Sequence, residues 1–239
     1  MSYFQFKQFR VEQGQASLKV NTDSCLFGAW VATHAEEPAG KVLDIGTGTG
    51  LLALMLAQCF SSEIYAVEID VASARQAAEN FAASPWAARL HCQPADILEF
   101  SESTCTRFEL IICNPPFFSA SLQNLDRPDA ARHQLGLNFG DLARCVEKLL
   151  APGATAWLLV PLHEYPLLES RLQQAGLQGR QHMLFRDSHR KPYQKVVVQV
   201  KKEGLARRQT LHTINIKNET GQAYSDAFAE LLAPWYLHL

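Results

Sequence analysis

The 239-residue chain lacks any large excess of one charge: 22 Lys and Arg stand against 24 Asp and Glu, a formal net charge of −2. A molecule-wide basic footprint is thereby excluded, and a nucleic-acid partner would need a local patch. Long apolar runs are also missing. The longest, Leu51 to Ala57, is far too short to span a bilayer, so no membrane contact is expected. The first residues are polar and aromatic, unlike a secretory leader. None of the six cysteines forms a Cys-x-x-Cys pair, which argues against a zinc site and against a disulfide framework. Internal repeats and low-complexity tails are absent. A reduced, cytoplasmic, metal-free protein is expected, with a monomer favoured. What remains is 47% hydrophobic and 19% charged, the balance of an ordinary globular chain long enough to bury a full core.

Apolar runs and helix-forming runs alternate along that core. Lys41–Ile45, Ile64–Glu68, Leu90–Asp96, Phe108–Cys113 and Thr155–Val160 read as strands. Leu51–Gln58, Val71–Ala82, Asn138–Leu150 and Glu164–Ala175 read as helices. Such alternation predicts an α/β fold with a doubly wound, parallel sheet. Gln181–Phe185 and Lys195–Lys201 flank a basic loop and predict an antiparallel pair; Leu211–Ile216 reads as a further short strand and Tyr224–Ala233 as a last helix. At the front, the Phe4/Phe6 alternation predicts a hairpin turning at Gln13-Gly14-Gln15, and Thr22-Asp23 reads as a helix start. One domain is expected, with 1–35 as a cap, 36–204 as a catalytic core and 205–239 as a C-terminal extension.

The chemistry concentrates at Asn114-Pro115-Pro116-Phe117, which follows a buried strand. Proline cannot pair in a central strand and biases the residue before it towards extension, so these residues belong at the strand's carboxyl end, where open α/β sheets bind ligands. A planar amine is a poor nucleophile until its nitrogen becomes tetrahedral. Two acceptors aimed at its hydrogens favour that change and the positive charge that follows. The Asn114 side chain and the Pro115 carbonyl supply two such acceptors, Pro116 stiffens them, and Phe117 offers a face for a flipped base. A polar loop, Ser119 to His133, follows; it is too long for a plain connector.

A glycine-rich turn, Gly46-x-Gly48-x-Gly50, joins the first strand to a helix. Dinucleotide folds use Gly-x-Gly-x-x-Gly, and Leu51 stands where the third glycine would fall. Asp44, two residues earlier, would repel a pyrophosphate but attract an ammonium and a sulfonium. Glu68, ending the second strand, is placed to accept from ribose hydroxyls. Asp96 is placed to accept from an adenine amino group, with the Ile97 backbone beside it, or to cap a helix. Thr22 and Asp23 are read as an N-cap or as residues over the cofactor.

Together these motifs resemble the class I S-adenosylmethionine-dependent methyltransferases, and the Asn-Pro-Pro-Phe element resembles that of amino-methyltransferases. With Phe4-x-Phe6-Lys7-x-Phe9, Lys19-Val20-x-Thr22-Asp23, Gly28-Ala29-Trp30, Ser84-Pro85-Trp86, Ala131-Arg132 and Tyr224-Ser225-x-x-Phe228, nearly the whole chain resembles the bacterial tRNA(Val) (adenine-37-N6)-methyltransferase family. That resemblance implies a Rossmann-like, seven-stranded, mostly parallel sheet with an antiparallel C-terminal edge hairpin. It implies S-adenosylmethionine as cofactor and a tRNA adenine as substrate. Phe117 stands where many adenine-specific members carry Tyr, and guanine N2 enzymes also use Phe, so the base stays open. A protein glutamine methyltransferase shares the clamp, and a non-catalytic RNA-binding module shares the fold. From Gln178 to Arg208 nine Lys or Arg face only Asp187 and Glu203, a local excess of about +7. Within it Arg186, Arg190 and Lys191 are read as RNA contacts, with Lys7, Arg10 and Arg132 extending the patch.

Overall fold

The computed structural model describes residues 2–16, 19–115, 137–205 and 210–239. Its core is an eight-stranded sheet. β3 (Val42–Ile45), β4 (Ile64–Glu68), β5 (Leu90–Pro94), β6 (Phe108–Cys113) and β7 (Leu150–Pro161) run parallel, in the spatial order β7-β6-β3-β4-β5. Every residue of β3 is buried, as a strand covered on both faces must be. The covering helices are α1 (Thr22–His34), α2 (Leu51–Cys59), α3 (Val71–Ala82), α4 (Ile97–Ser103), α5 (Phe139–Leu149) and α6 (Tyr165–Gln174). Two apolar clusters fill the two sides of the sheet, one around Leu26, Leu54 and Trp157, the other around Leu43, Val146 and Leu158. Among the described residues no helix is long and apolar enough to cross a membrane.

Past β7 the sheet changes direction. β9 (Lys195–Lys201) runs antiparallel to both β7 and β8 (Gln178–Arg186), so the predicted antiparallel pair is present. It is not the edge. β10 (His212–Asn215) adds in parallel outside β8, one strand more than the seven expected. Ile214 and Ile216 are both buried, and that alternation seals the short strand onto the sheet. A last helix, α7 (Asp226–Leu232), packs on α1 and β10.

The N-terminal hairpin turns elsewhere than expected. β1 (Tyr3–Gln5) pairs with β2 (Arg10–Glu12), and the turn is Phe6–Phe9, closed by the Phe6 N–H on the Phe9 carbonyl at 2.9 Å. Phe6 and Phe9 stack with centroids 4.5 Å apart and are buried with Tyr236, so burial of aromatics overrides the weaker turn preference of Gln-Gly-Gln. Gln13 instead accepts the Val20 N–H at 2.9 Å. Nor is Thr22 or Asp23 the cap of α1. Asn21 is, with extended backbone and its side-chain oxygen on the Ser24 N–H at 2.9 Å, and Thr22 is the first helical residue.

Candidate active site

The carboxyl ends of β3, β4, β5 and β6 bring the turn 46–50, Glu68, Asp96 and Asn114 to one edge of the sheet. In the turn, Gly46, Gly48 and Gly50 have φ of 69, 57 and 84°. At Gly50 a Cβ would sit 2.5 Å from the Phe81 ring, so only glycine lets the turn press against α3. Over Gly46 and Gly48 the space is open, since a Cβ at either would meet nothing within 4 Å. Glu68 secures the turn. One carboxylate oxygen accepts the Gly48 N–H at 2.8 Å, the other the Asp70 N–H at 3.0 Å.

Asp44 lies beneath the turn with no exposure. Its Oδ2 accepts from the Thr47 hydroxyl at 2.6 Å and the Ala53 N–H at 3.3 Å. Its Oδ1 is buried and has no partner among the described residues. Burial pushes the carboxyl up to about 7, against the two hydrogen bonds and aided by the charge of Glu68. A buried acceptor left bare costs about 1–3 kcal/mol, and such groups gather at functional sites. A carboxylate with a bare oxygen under an open glycine turn fits a cationic adenosyl group. Asp96 caps α4, accepting the Leu98 N–H at 2.9 Å, with Ile97 as the buried first residue of that helix. Among the described residues no group of His, Cys, Asp or Glu has metal-holding geometry.

Asn114 stands at the end of β6. Its Nδ2 donates to the Ser24 hydroxyl at 2.9 Å, while its Oδ1 is buried and bare among the described residues. That bond turns the amide so that its acceptor faces away from α1. Pro115 follows it and is buried. Pro116, Phe117, Arg132 and the 119–133 loop lie outside the described residues. Ser24 was not foreseen, because nothing local in the sequence joins residue 24 to residue 114; its only signal is the Asn-x-x-Ser capping spacing from Asn21.

Thr22 and Asp23, on the first turn of α1, line a cleft of 380 Å³ with Phe185, Arg186, Lys195, Lys217 and Tyr224, on the far side of β6 from the glycine turn. Burial raises Asp23 and lowers Lys195, and each charge opposes the other's shift. The basic residues separate. Arg186 donates to Asn215 Oδ1 at 2.6 Å and to the Lys191 carbonyl at 3.1 Å, with its guanidinium 4.5 Å from the Tyr193 ring. Lys191 pairs with Asp187 at 3.3 Å, and Arg190 is exposed beside it. Lys7 donates to the Ala233 carbonyl at 2.6 Å, and Arg10 pairs with Glu12 at 2.9 Å; neither lines the cleft.

Comparisons with known proteins bear on the fold and the family. The model of the methyltransferase small domain matches residues 24–128. A tRNA1(Val) (adenine(37)-N6)-methyltransferase of Cytophaga hutchinsonii is 38% identical over 100% of this chain and 99% of its own length. The Vibrio campbellii protein of that name is 35% identical over 99% of this chain and 96% of its own. Among solved structures, a predicted O-methyltransferase of Agrobacterium tumefaciens superposes with a TM-score of 0.65 at 19% identity, over 88% of this chain and 95% of that one. A glycopeptide N-methyltransferase complexed with S-adenosyl-L-methionine superposes with a TM-score of 0.55 at 16% identity, over 77% and 99%. The structures speak for the Rossmann-like methyltransferase fold. From its full-length relatives, the chain belongs to the tRNA1(Val) (adenine(37)-N6)-methyltransferase family.

Proposed function

We propose that the protein methylates N6 of an adenine in tRNA, adenine-37 of tRNA1(Val) by its relatives' names, with S-adenosylmethionine as donor. The observation that carries this reading is Asn114: its amide nitrogen is tied to Ser24, and its buried oxygen is left bare for an amine hydrogen. The Pro115 carbonyl takes the second amine hydrogen, so the two acceptors hold the nitrogen in the geometry that its lone pair needs to react. Pro116 fixes the direction of that carbonyl, and Phe117 stacks on the flipped adenine, worth about 1–3 kcal/mol.

The turn 46–50, Asp44, Glu68, Asp96 and Ile97 hold the cofactor; Thr22 and Asp23, across β6 from the turn, instead begin the helix that carries Ser24. When bound, the cofactor supplies an activated sulfonium methyl. Asp44 places a negative charge under the cationic end, and Glu68 and Asp96 accept from ribose and adenine. The methylated amine loses its extra proton readily to solvent, so the clamp needs acceptors rather than a strong base. Purified protein with labelled cofactor and valine tRNA should yield N6-methyladenosine on nucleoside analysis. Label in guanine, in protein or nowhere would overturn the reading.

A further inference from the structure

The cleft beside α1 carries charge that the methyl-transfer chemistry leaves unused. Its carboxylates are matched: Asp187 by Lys191 at 3.3 Å, and Asp23 by the opposing charge of Lys195. Arg186 has no carboxylate partner among the described residues, but Asn215, the Lys191 carbonyl and Tyr193 occupy it. Lys217 is different. Its ammonium rests 4.2 Å over the Tyr224 ring, with no carboxylate in reach among the described residues. Phe228 stacks on Tyr224 with centroids 4.6 Å apart, so the ring serves as a backed platform that holds the ammonium. Opposite it, α1 begins. The N–H groups of Thr22 and Asp23 have no intrahelical acceptor, and the positive end of the helix dipole lies there. An ammonium and a helix N-terminus across a cleft of 380 Å³ suit a phosphate with bulk attached.

Position selects the ligand. In the order β10-β8-β9-β7-β6-β3-β4-β5, the cofactor cradle lies on one side of β6 and this cleft on the other. In-line transfer requires the acceptor strand of RNA to come from the side away from the cradle. The near wall, Asp23, adjoins Ser24 and therefore Asn114. The far wall, Arg186 on β8 and Lys217 just past β10, stands three to four strand spacings from β6, about 14–19 Å. That is too far for the base at Asn114 and within reach of its neighbour. We propose that the cleft seats a nucleotide flanking the methylated one, with Lys217 and the N-terminus of α1 taking its phosphate. This assignment rests on the tRNA methyltransferase reading above.

The test uses the full chain, an anticodon stem-loop of valine tRNA, and Lys217→Met, which keeps the stem over Tyr224 and removes the charge. KM for RNA should rise about tenfold with kcat within about twofold, and the slope of log affinity against log salt should fall by about one. Cofactor affinity and melting temperature should not move. An abasic residue at one flanking position should raise KM for the unsubstituted protein and add little in Lys217→Met. Thr22→Pro, which removes one of the free N–H groups of α1 at the helix position that tolerates proline and leaves Lys217 in place, should also raise KM. An unchanged KM and slope in Lys217→Met would overturn the proposal. So would an equal loss of cofactor affinity, which would give the cleft to the cofactor, or additive abasic effects at both flanks. If the unsubstituted protein methylates no tRNA adenine, the functional reading itself fails; if it does and Lys217→Met matches it, only the cleft assignment fails.

Discussion

Asn114 offers two chemically distinct ends; the nitrogen is bound to Ser24, and in the proposed clamp the bare oxygen meets the amine. Asn114→Ala removes the acceptor, and turnover should fall by about 100-fold or more. Cofactor affinity by calorimetry should barely change, and a large loss there would contradict the role. Ser24→Ala keeps the acceptor but frees the amide to rotate. Losing one positioning hydrogen bond of about 1–1.5 kcal/mol should lower kcat about tenfold, with KM for RNA little changed. Ser24→Thr should restore much of the rate, which a merely structural role would not require. Asp44 makes a different prediction. Burial holds its carboxyl up to about 7, so its charge is lost as pH falls through that value. A cation above it favours the ionised form, so binding of S-adenosylmethionine should release a proton. Affinity should be about tenfold weaker at pH 6 than at pH 8, as titration in buffers of different ionisation enthalpy would read. Asp44→Asn should flatten that dependence.

Helices and turns carry these side chains, and the joints between elements hold them in register. Asn80 on α3 is one such joint. Its Nδ2 donates to the Glu12 and Thr49 carbonyls at 2.9 and 2.8 Å, and its Oδ1 accepts the Glu12 N–H at 2.9 Å. It thus ties the N-terminal hairpin to the glycine turn from a buried position. Asn80→Asp cannot donate to either carbonyl. A loss of about 2 kcal/mol or more, and a melting temperature lower by about 4–8 °C, should follow in calorimetry. Several elements were legible because their signals are local. Val71–Ala82 was bounded correctly from helix-forming composition, and β6 from a run ended by proline. The hairpin turn was not, because the burial of Phe6 and Phe9 against Tyr236 depends on residues over 200 positions away. Helix α4 shows in the sequence only through the capping role open to Asp96, because seven residues are too few for a clear apolar period.

Across the whole molecule, the sheet separates the two sites of the proposed function. Strands β3–β5 present a small cradle with a buried carboxylate; strands β8–β10 present cations on a chain that is otherwise slightly acidic. RNA affinity should therefore fall steeply with salt while cofactor affinity changes little, a contrast that filter binding and calorimetry would read. The pairing of Lys191 with Asp187 refines this. Arg190→Gln should lower the salt slope by about one, and Lys191→Gln by less, because its charge is already compensated. Equal effects would mean that RNA breaks the Lys191–Asp187 pair.

By itself the sequence determined the α/β alternation, the glycine turn with its acids, and the Asn-Pro pair that ends β6. Each rests on spacing within a few residues, and backbone sterics and hydrogen-bonding chemistry act over that range. Tertiary structure decided the rest. It set Ser24 against Asn114 across 90 residues, added β10 outside the hairpin, and matched some basic residues while leaving Lys217 without a carboxylate among the described residues. Orientation and charge compensation depend on which surfaces are buried together, and only the packed chain brings those surfaces into contact. The Asn-Pro motif is readable in the sequence; the direction in which the Asn114 oxygen points is not.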